Sequence, residues 1–434
     1  MGEPRSTRTL VWICALAVVL RVLAILVLRA WLEPNGMEHV AIARNLVAGN
    51  GFSFGDFGYF GPTSYQSPTY PLFLAGLFQL FGAETPSAYF AALLVNCLLA
   101  AIGVAGVAAM TREMGGGSRE ALIAAAAFAV WPTQVYAATH AQGVVLITAC
   151  VVWMVALFIR GVSHWRARDW WLYSGIAATA SLTEPALLPI TVLSVPMLWL
   201  YKPAPAGARL RSAAIVVASA ALILGPWTLR NWSVHGTFVL VKSGFWVNVW
   251  KGANDYATGT DRLAMPEDRQ RDLEARFYGL EDERGLAAEH KHQYDALTPA
   301  QLAELQGHSE IERERIFRRY ALSWIAANPE RFVRLCVIRL QKSLWIDWDN
   351  PKSFKLPYLG SRALLLLLSI PGLFLALARG WRWVFPLAVV GSCLGIYTLT
   401  LTAARFAIPL EPVQLALGAL TITWVWDRVR PRAA

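Results

Sequence analysis

The chain of 434 residues is 56% hydrophobic and only 16% charged, whereas soluble proteins usually carry about 25% charged residues. Its apolar residues lie in long blocks, which excludes a soluble globular domain and predicts an all-α polytopic membrane protein. The formal charge of +10 could indicate a nucleic-acid partner, but the positions of the basic residues described below indicate membrane topology instead. The five cysteines show no paired or metal-like spacing, so neither a disulfide framework nor a cofactor is predicted.

About ten apolar stretches are candidates to cross a bilayer, for which a helix needs roughly 20 residues. They lie near residues 9–31, 88–110, 120–138, 142–160, 170–184, 186–201, 211–228, 361–378, 384–402 and 406–426. The first stretch is too long for a signal-peptide core and lacks a small-residue cleavage site, so it is predicted to be a retained anchor. The piece from Pro71 to Phe81 is too short to cross and is predicted to be a re-entrant or juxtamembrane helix.

Basic residues in the short loops predict the orientation of these spans. Fifteen Arg and Lys residues lie on one side, and the short loops of the other side hold little more than Arg44 and Arg405. Both termini are therefore predicted to be cytoplasmic. Because the excess positive charge is explained by topology, a nucleic-acid partner is not predicted. The short Ala/Arg-rich loops favour a bacterial inner membrane. The predicted organisation is a membrane module at 1–228 with a first outer loop at 32–69, an outer region at 229–360, and membrane helices at 361–434.

The outer region is predicted to contain interfacial helices. Thr298-Pro299-Ala300-Gln301 has the spacing of a capping box, and Asn328-Pro329 is a second helix start. The helix from Pro329 to Trp345 places Arg331, Arg334, Arg339 and Lys342 on one arc. This pattern is typical of a helix that lies on the membrane surface and meets anionic lipid head groups, and simple interfacial anchoring explains it equally well.

The first outer loop is rich in Gly, Pro and Tyr, and long loops of this kind usually carry function. Glu38 begins a short predicted helix, Val40 to Ala48, just after the first span. The helix dipole stabilises a carboxylate at that position, and an ionised carboxylate can act as a general base. An ordinary helix-start carboxylate is the alternative. Tyr65 and Tyr70 of the same segment are candidate substrate-binding residues.

Further polar residues are predicted to face the same side. His140 lies in the turn between the third and fourth spans, and Glu184 in the turn between the fifth and sixth. Arg230 follows the seventh span, and Arg405 precedes the last. Arginine suits phosphate because its planar guanidinium donates two hydrogen bonds at once. Each arginine alone could simply extend its charge to the interface, but together with an acid they indicate a site for an anionic, lipid-linked substrate.

The order of several short motifs carries a family resemblance over nearly the whole chain. The motifs are an acid after the first span, Ala43-Arg44-Asn45-Leu46, Gly49-Asn50-Gly51-Phe52, Gly61-Pro62-Thr63, Tyr70-Pro71-Leu72-Phe73-Leu74-Ala75, Pro226-Trp227-Thr228-Leu229-Arg230-Asn231, Trp250-Lys251-Gly252-Ala253-Asn254, Ala327-Asn328-Pro329-Glu330-Arg331-Phe332, Arg405, and Pro409-Leu410-Glu411-Pro412. The sequence resembles the GT-C membrane glycosyltransferases, specifically bacterial relatives of protein O-mannosyltransferases and of the lipid A aminoarabinose transferase, glycosyltransferase family 39-like proteins.

The resemblance implies an enzyme that transfers a sugar, with inversion, from a polyprenyl-phosphate carrier to a hydroxyl acceptor on a protein, lipid or glycan. It assigns Glu38 as general base, and Arg230, Arg405 and Lys342 as ligands of the carrier phosphate. It implies no metal. Many relatives have Asp, often as Asp-Glu, where this chain has Met37-Glu38, and many have Arg or Lys where it has Glu184. Glu184 could accept a hydrogen bond from a substrate hydroxyl or cap the helix after it.

Two other functions remain open at the sequence level. A transporter of lipids or small molecules would often show inverted repeats and broken helices near the midplane. No repeat is visible, and the polar residues group at the outer face. A ligase or polymerase of lipid-linked glycans would use the same acid and arginines. The donors that are consumed would distinguish these possibilities.

Overall fold

A computed structural model of the protein describes residues 3–201, 204–261, 263–264 and 296–429, and over these residues the chain is mainly helical, with one short hairpin. Its first nine helices are α1 Glu3–Leu28, α2 Met37–Val47, α3 Thr69–Phe81, α4 Pro86–Glu113, α5 Ser118–Val130, α6 Pro132–Ala137, α7 Val144–His164, α8 Ala167–Thr183 and α9 Leu188–Met197. The others described are α10 Ala206–His235, α11 Phe245–Lys251, α12 Pro299–Leu305, α13 Glu310–Ala327, α14 Pro329–Leu344, α15 Leu356–Ala378, α16 Val384–Leu399, α17 Ala404–Ala407 and α18 Glu411–Val429.

Seven segments in the described part of the chain are long and apolar enough, by length and composition, to cross a membrane. They are Ser6–Leu28, Pro86–Glu113, Val144–His164, Ala206–His235, Leu356–Ala378, Trp381–Leu399 and Ala404–Val429. The all-α membrane class is therefore confirmed. The other three expected spans correspond to shorter helices: 120–138 to α5 and α6 together, 170–184 to α8, and 186–201 to α9. The expected number of about ten spans therefore stays a prediction.

The stretch expected as one span at 120–138 is broken in two. Trp131 adopts an extended conformation between α5 and α6, and Pro132 begins α6. The break leaves carbonyl groups at the end of α5 without helical partners. Arg21, fully buried in α1, donates to the carbonyls of Ala129 at 2.9 Å and Phe128 at 3.4 Å. The charged side chain in the middle of α1 therefore completes the end of another helix.

The apolar helices pack around a continuous core. The rings of Phe158 in α7 and Phe385 in α16 stack with their centroids 3.7 Å apart. Helices α15 and α18 approach closely where glycine is required, because a Cβ at Gly372 would lie 2.0 Å from the carbonyl oxygen of Leu417. Such close packing between helices is typical of membrane proteins.

A buried network joins α15, α18 and α6. The Arg362 guanidinium pairs with the Glu411 carboxylate at 3.2 Å, and both side chains are almost fully buried. Thr133 and Gln134 of α6 also donate to Glu411, at 2.5 and 2.9 Å. Arg362 donates further to the carbonyls of residues 343–345 at the end of α14. Nearly every polar atom of the pair therefore has a partner, as a buried charge pair requires.

The two long loops form one layer. In the first loop (residues 32–69), strands β1 Ser53–Asp56 and β2 Tyr59–Pro62 form an antiparallel hairpin. The second loop region (residues 229–360) packs on that hairpin through a hydrophobic cluster in which Phe57 and Tyr65 contact residues of α11 and α13. Arg313 of α13 also donates to the carbonyl of Asp56 at 2.9 Å. The two loops therefore lie on the same side of the helical bundle.

Helix α14 buries two of its four basic residues, Arg339 and Lys342, which were expected to meet lipid head groups. Arg339 is fully buried and donates to the carbonyl of Thr398 at 2.7 Å and to that of Gly252. Arg331 and Arg334 are exposed, as are the apolar side chains of Val333 and Val337. The carbonyls of Thr398 and Gly252 hold Arg339 inside because a buried guanidinium needs hydrogen-bond partners. A contact of the two exposed arginines with lipid head groups stays a prediction.

Candidate active site

Glu38 lies in the first turn of α2 and its side chain is almost fully buried. The turn between α6 and α7 holds the segment that leads into α2: Ala141 N–H donates to the Pro34 carbonyl at 2.7 Å, and Gln142 donates to the Asn35 carbonyl at 2.7 Å. Gly36 starts the helix, and a Cβ there would lie 2.2 Å from Cγ2 of Val40. These contacts fix the start of the short helix that carries the Glu38 carboxylate.

His39 follows the acid and packs edge-on against the Tyr70 ring, with the centroids 5.4 Å apart. Burial lowers the pKa of the His39 imidazole to about 4; the Glu38 carboxylate opposes this shift, and Lys242 and Arg405 reinforce it. The imidazole is therefore neutral near pH 7. Because the charges of Glu38, Lys242 and Arg405 all act on the pKa of His39, the three side chains lie within electrostatic range of its ring.

Three cations from distant parts of the chain lie within electrostatic range of Glu38 or of its neighbour His39. Lys242 Nζ lies 3.4 Å from Oε1 of Gln66 in the first loop. Lys251, at the end of α11, is buried, and burial lowers the pKa of its ammonium group to about 8, although the charge of Glu38 counteracts the shift. Arg405 approaches from α17, and no carboxylate in the described part of the chain lies within ion-pair distance of it.

The segment that leads into α3 adds uncharged polar groups. Ser67 Oγ and Thr69 Oγ1 are shielded from solvent and have no hydrogen-bond partner among the residues that the structure describes, and the same holds for Nδ1 of His39. The Tyr70 hydroxyl is buried facing the Asn96 side chain, without a hydrogen bond of normal geometry. Buried polar atoms are paired in most proteins, and an ordered water or ion can supply the partner that the protein does not.

Glu310 fixes the position of this segment. At the start of α13, its buried carboxylate accepts hydrogen bonds from Ser64 N–H at 3.0 Å, from Ser243 Oγ at 2.6 Å and from the Thr63 hydroxyl. His235 Nε2 lies 2.7 Å from Ser64 Oγ. Residues 63–64 and 243 flank Gln66 and Lys242, so Glu310 determines how the first loop and the second loop region present the site.

Arg230 has a similar supporting position. Its guanidinium donates to the carbonyl of Thr63 at 2.6 Å and that of Phe52 at 3.0 Å, and it packs on the rings of Phe52 and Trp227. Most of its donors are therefore used to attach the first loop to α10. The expected contact of Arg230 with a carrier phosphate stays a prediction.

The other sequence-predicted residues are placed as follows. The Lys342 ammonium is buried and donates to the Thr258 carbonyl and to the carboxylates of Asp347 and Asp349, so its three protons have partners within the protein. Glu184 accepts from Ala186 N–H at 3.3 Å, which is the helix-capping arrangement. The expected alternative of a substrate contact stays a prediction.

His140 and Tyr65 lie at the margins of the site. Burial lowers the pKa of His140, Lys352 and Arg405 lower it further, and a hydrogen bond to the Tyr136 carbonyl opposes them. Arg405 therefore lies within range of both His39 and His140. Tyr65 stacks on Phe54, with the ring centroids 5.7 Å apart, and packs within the loop layer.

Sequence reasoning assigned no role to Lys242, Lys251, His39 or Glu310. Lys251 lies in the motif Trp250-Lys251-Gly252-Ala253-Asn254, which could have indicated it. Nothing in the sequence around Lys242 or Glu310 pairs them with residues more than 170 positions away. In the described ranges, no three His, Cys, Asp or Glu side chains group closely enough to hold a metal ion.

The chain is similar in structure to solved membrane glycosyltransferases. The oligosaccharyltransferase of Archaeoglobus fulgidus in its apo form matches with a TM-score of 0.57 and 16% identity, over 99% of this chain and 51% of that protein. The archaeal oligosaccharyltransferase AglB from the same organism, in complex with an inhibitory peptide and a dolichol-phosphate, matches with a TM-score of 0.57 and 14% identity, over 98% and 50%. ArnT from Cupriavidus metallidurans, bound to undecaprenyl phosphate, has a TM-score of 0.39 at 16% identity, over 93% and 77%.

The chain thus has the fold of the GT-C membrane glycosyltransferases, as its sequence motifs predicted. It spans about half the length of the archaeal oligosaccharyltransferases that it matches. Neither known protein-family models nor curated protein sequences contain a match to it.

Proposed function

We propose that the protein is an inverting glycosyltransferase that moves a sugar from a polyprenyl-phosphate carrier to a hydroxyl acceptor. The observation that carries the proposal is the grouping of Glu38 with Lys242, Lys251 and Arg405 at the loop layer of a GT-C fold. An acid and several cations at one site match a reaction that removes a proton from the acceptor and releases a phosphate. AglB has been solved with a dolichol-phosphate, which supports a lipid-phosphate carrier.

Glu38 is the proposed general base. Its carboxylate accepts the proton of the acceptor hydroxyl while the acceptor oxygen forms a bond to the anomeric carbon of the sugar. The bond between that carbon and the phosphate oxygen breaks on the opposite face, which inverts the configuration and leaves polyprenyl phosphate. His39, the neighbour of Glu38, is neutral near pH 7 because burial lowers the pKa of its imidazole to about 4.

Lys242, Lys251 and Arg405 are the proposed ligands of the phosphate. As the donor bond breaks, the phosphate gains a negative charge, and fixed cations in a buried site stabilise that charge strongly. Arg230 and Glu310 support these residues by fixing the first loop. We propose that the site faces the exterior of a bacterial inner membrane and that both termini are cytoplasmic, because the basic residues of the short loops have that distribution.

The test compares Glu38→Gln with Glu33→Gln, which alters an exposed acid in the same loop. Purified proteins are assayed for consumption of a panel of polyprenyl-phosphate sugars, with thermal unfolding recorded alongside. Removal of a general base costs about 10²- to 10⁴-fold in rate. We expect that loss of kcat for Glu38→Gln only, with an unfolding temperature within a few degrees of wild type.

Other results would lead to different conclusions. Full activity of Glu38→Gln would leave Glu38 as a helix-start carboxylate and make Glu184 the acid to examine. Binding of donors without turnover of any acceptor would favour a transporter, and transfer of whole lipid-linked glycans would favour a ligase or polymerase.

A further inference from the structure

The two helices that lead to Lys251 and Arg405 end in contact with each other. Lys251 is the last residue of α11, and Arg405 lies in α17, after the loop that follows α16. Where the two ends meet, a Cβ on Gly252 would lie 2.0 Å from the carbonyl oxygen of Thr400. The two segments therefore approach backbone to backbone, which requires glycine at this position.

Arg339 joins the two helix ends from a third helix, α14. Its guanidinium donates through Nη2 to the carbonyl of Gly252, just after α11, and through Nη1 to that of Thr398, in the last turn of α16, at 2.7 Å. Carbonyls at the end of a helix have no partner within it and carry the negative end of the helix dipole. One fully buried, planar cation therefore completes both helix ends at once.

Two further contacts join the same three segments. Ser343 Oγ of α14 lies 2.7 Å from Thr402 Oγ1, in the loop between α16 and α17. Thr402 also forms an isolated β-bridge with Thr260, in the segment that follows α11. The chain segments that carry Lys251 and Arg405 are therefore fixed relative to each other through α14.

We propose that Arg339 is a positioning residue for the donor phosphate, because its bonds to both helix ends fix the separation of Lys251 and Arg405. The inference rests on the proposed function, in which those two cations bind the phosphate. Both terminal nitrogens of Arg339 already donate to carbonyls, so the side chain acts through the other two cations. The effect of such positioning can be large, since a misplacement of about 1 Å can cost about 10²-fold in rate.

The test measures binding of polyprenyl phosphate to the whole chain in detergent, with thermal unfolding recorded alongside. Arg339→Lys keeps the charge but replaces the planar fork by a single ammonium group, which cannot hold both carbonyls in the same way. Arg21→Lys is the matched control, because Arg21 is an equally buried arginine that completes the end of α5 instead. We expect both variants to lower the unfolding temperature, and only Arg339→Lys to weaken polyprenyl phosphate, by about tenfold.

A double-mutant cycle separates positioning from a general loss of structure. Lys251→Met alone removes one phosphate ligand. Once Lys251 is absent, its separation from Arg405 no longer matters, so the further effect of Arg339→Lys should fall below about threefold. Gly252→Ala keeps Arg339 and is informative even if Arg339→Lys does not fold. Its Cβ forces the ends of α11 and α16 apart, and it should weaken polyprenyl phosphate to a similar extent.

The possible failures point to different conclusions. Arg339→Lys and Gly252→Ala that bind polyprenyl phosphate as wild type does would overturn the inference and leave the proposed function in place. Fully multiplicative effects of Arg339→Lys and Lys251→Met, or an equal loss of affinity in Arg21→Lys, would also overturn it. Failure of the wild type to bind polyprenyl phosphate, or unchanged binding by Lys251→Met, would instead overturn the phosphate assignment of the proposed function, and the inference with it.

Discussion

Two buried polar regions of this protein differ in how completely their atoms are paired. Around Glu411, arginine, threonine and glutamine side chains and three backbone carbonyls bond to one another. Around Glu38, Nδ1 of the neutral His39 imidazole and the hydroxyls of Ser67 and Thr69 have no partner among the described residues, and no described carboxylate lies within ion-pair distance of Arg405. The polar atoms of the first region are nearly all paired within the protein, whereas several in the second region are not. The completeness of pairing, rather than burial, therefore distinguishes the two regions.

The largest effect is expected for the paired region. Arg362→Met leaves the Glu411 carboxylate buried without its cation, and loss of one partner of such a pair costs about 3–5 kcal/mol of unfolding free energy. Thermal and denaturant unfolding in detergent would measure it. The control Arg119→Met breaks an exposed pair with Asp427, which contributes at most about 1 kcal/mol.

A double variant sharpens this prediction. Replacing both Arg362 and Glu411 by Met removes the two charges together, and such replacements are often neutral. The double variant should therefore recover much of the stability lost by Arg362→Met. A double variant no more stable than Arg362→Met would show that the hydrogen bonds to Thr133 and Gln134 stabilise the network more than the charge pair does.

The next effect distinguishes two lysines. Lys342→Met removes the partner of Asp347 and Asp349 and should lower the unfolding temperature. Lys242→Met should leave the unfolding temperature nearly unchanged but weaken polyprenyl phosphate about tenfold, because one charge-assisted contact is lost. Titration with polyprenyl phosphate, with unfolding scans of each variant, would measure both. Weaker phosphate binding by Lys342→Met, without loss of stability, would instead place the phosphate at α14.

The smallest effect is a dependence on pH. The pKa of Lys251 is lowered to about 8, so its ammonium group loses its proton as the pH rises through that value. A phosphate monoester is already doubly charged there, since its second pKa is about 6. Affinity for polyprenyl phosphate should therefore fall several-fold between about pH 7 and pH 9. Lys251→Arg stays charged throughout and should remove that dependence; a dependence retained in Lys251→Arg would assign the titration to another group.

The sequence was most informative where the signal is local. Long apolar runs predicted the seven segments that are long and apolar enough to cross a membrane, and the short helix after the first of them was predicted within a few residues of α2. The acid Glu38 could be singled out because a helix start favours a carboxylate. The break at Trp131 was missed because the apolar run continues through Pro132. The arginine that bonds to the Ala129 carbonyl at this break, Arg21, lies 108 residues before Ala129.

Contacts between residues far apart in the sequence could not be predicted. Lys242 contacts Gln66, 176 residues earlier, and Ser64 contacts Glu310, 246 residues later. No periodicity within either segment indicates its partner. The burial of Arg339 in α14 was missed for the same reason, because the Thr398 carbonyl that accepts from it is 59 residues away.

Arg21 has a consequence for how the chain is made. Its acceptors, the carbonyls of Phe128 and Ala129, are synthesised 107 and 108 residues after it. Until then α1 carries an arginine whose later acceptors do not yet exist, and a central arginine disfavours insertion by about 2.5–3.5 kcal/mol on translocon scales. We therefore expect α1 to settle at its final depth only after α5 has entered the membrane, so that the order of biogenesis is set by one side chain near the beginning of this sequence.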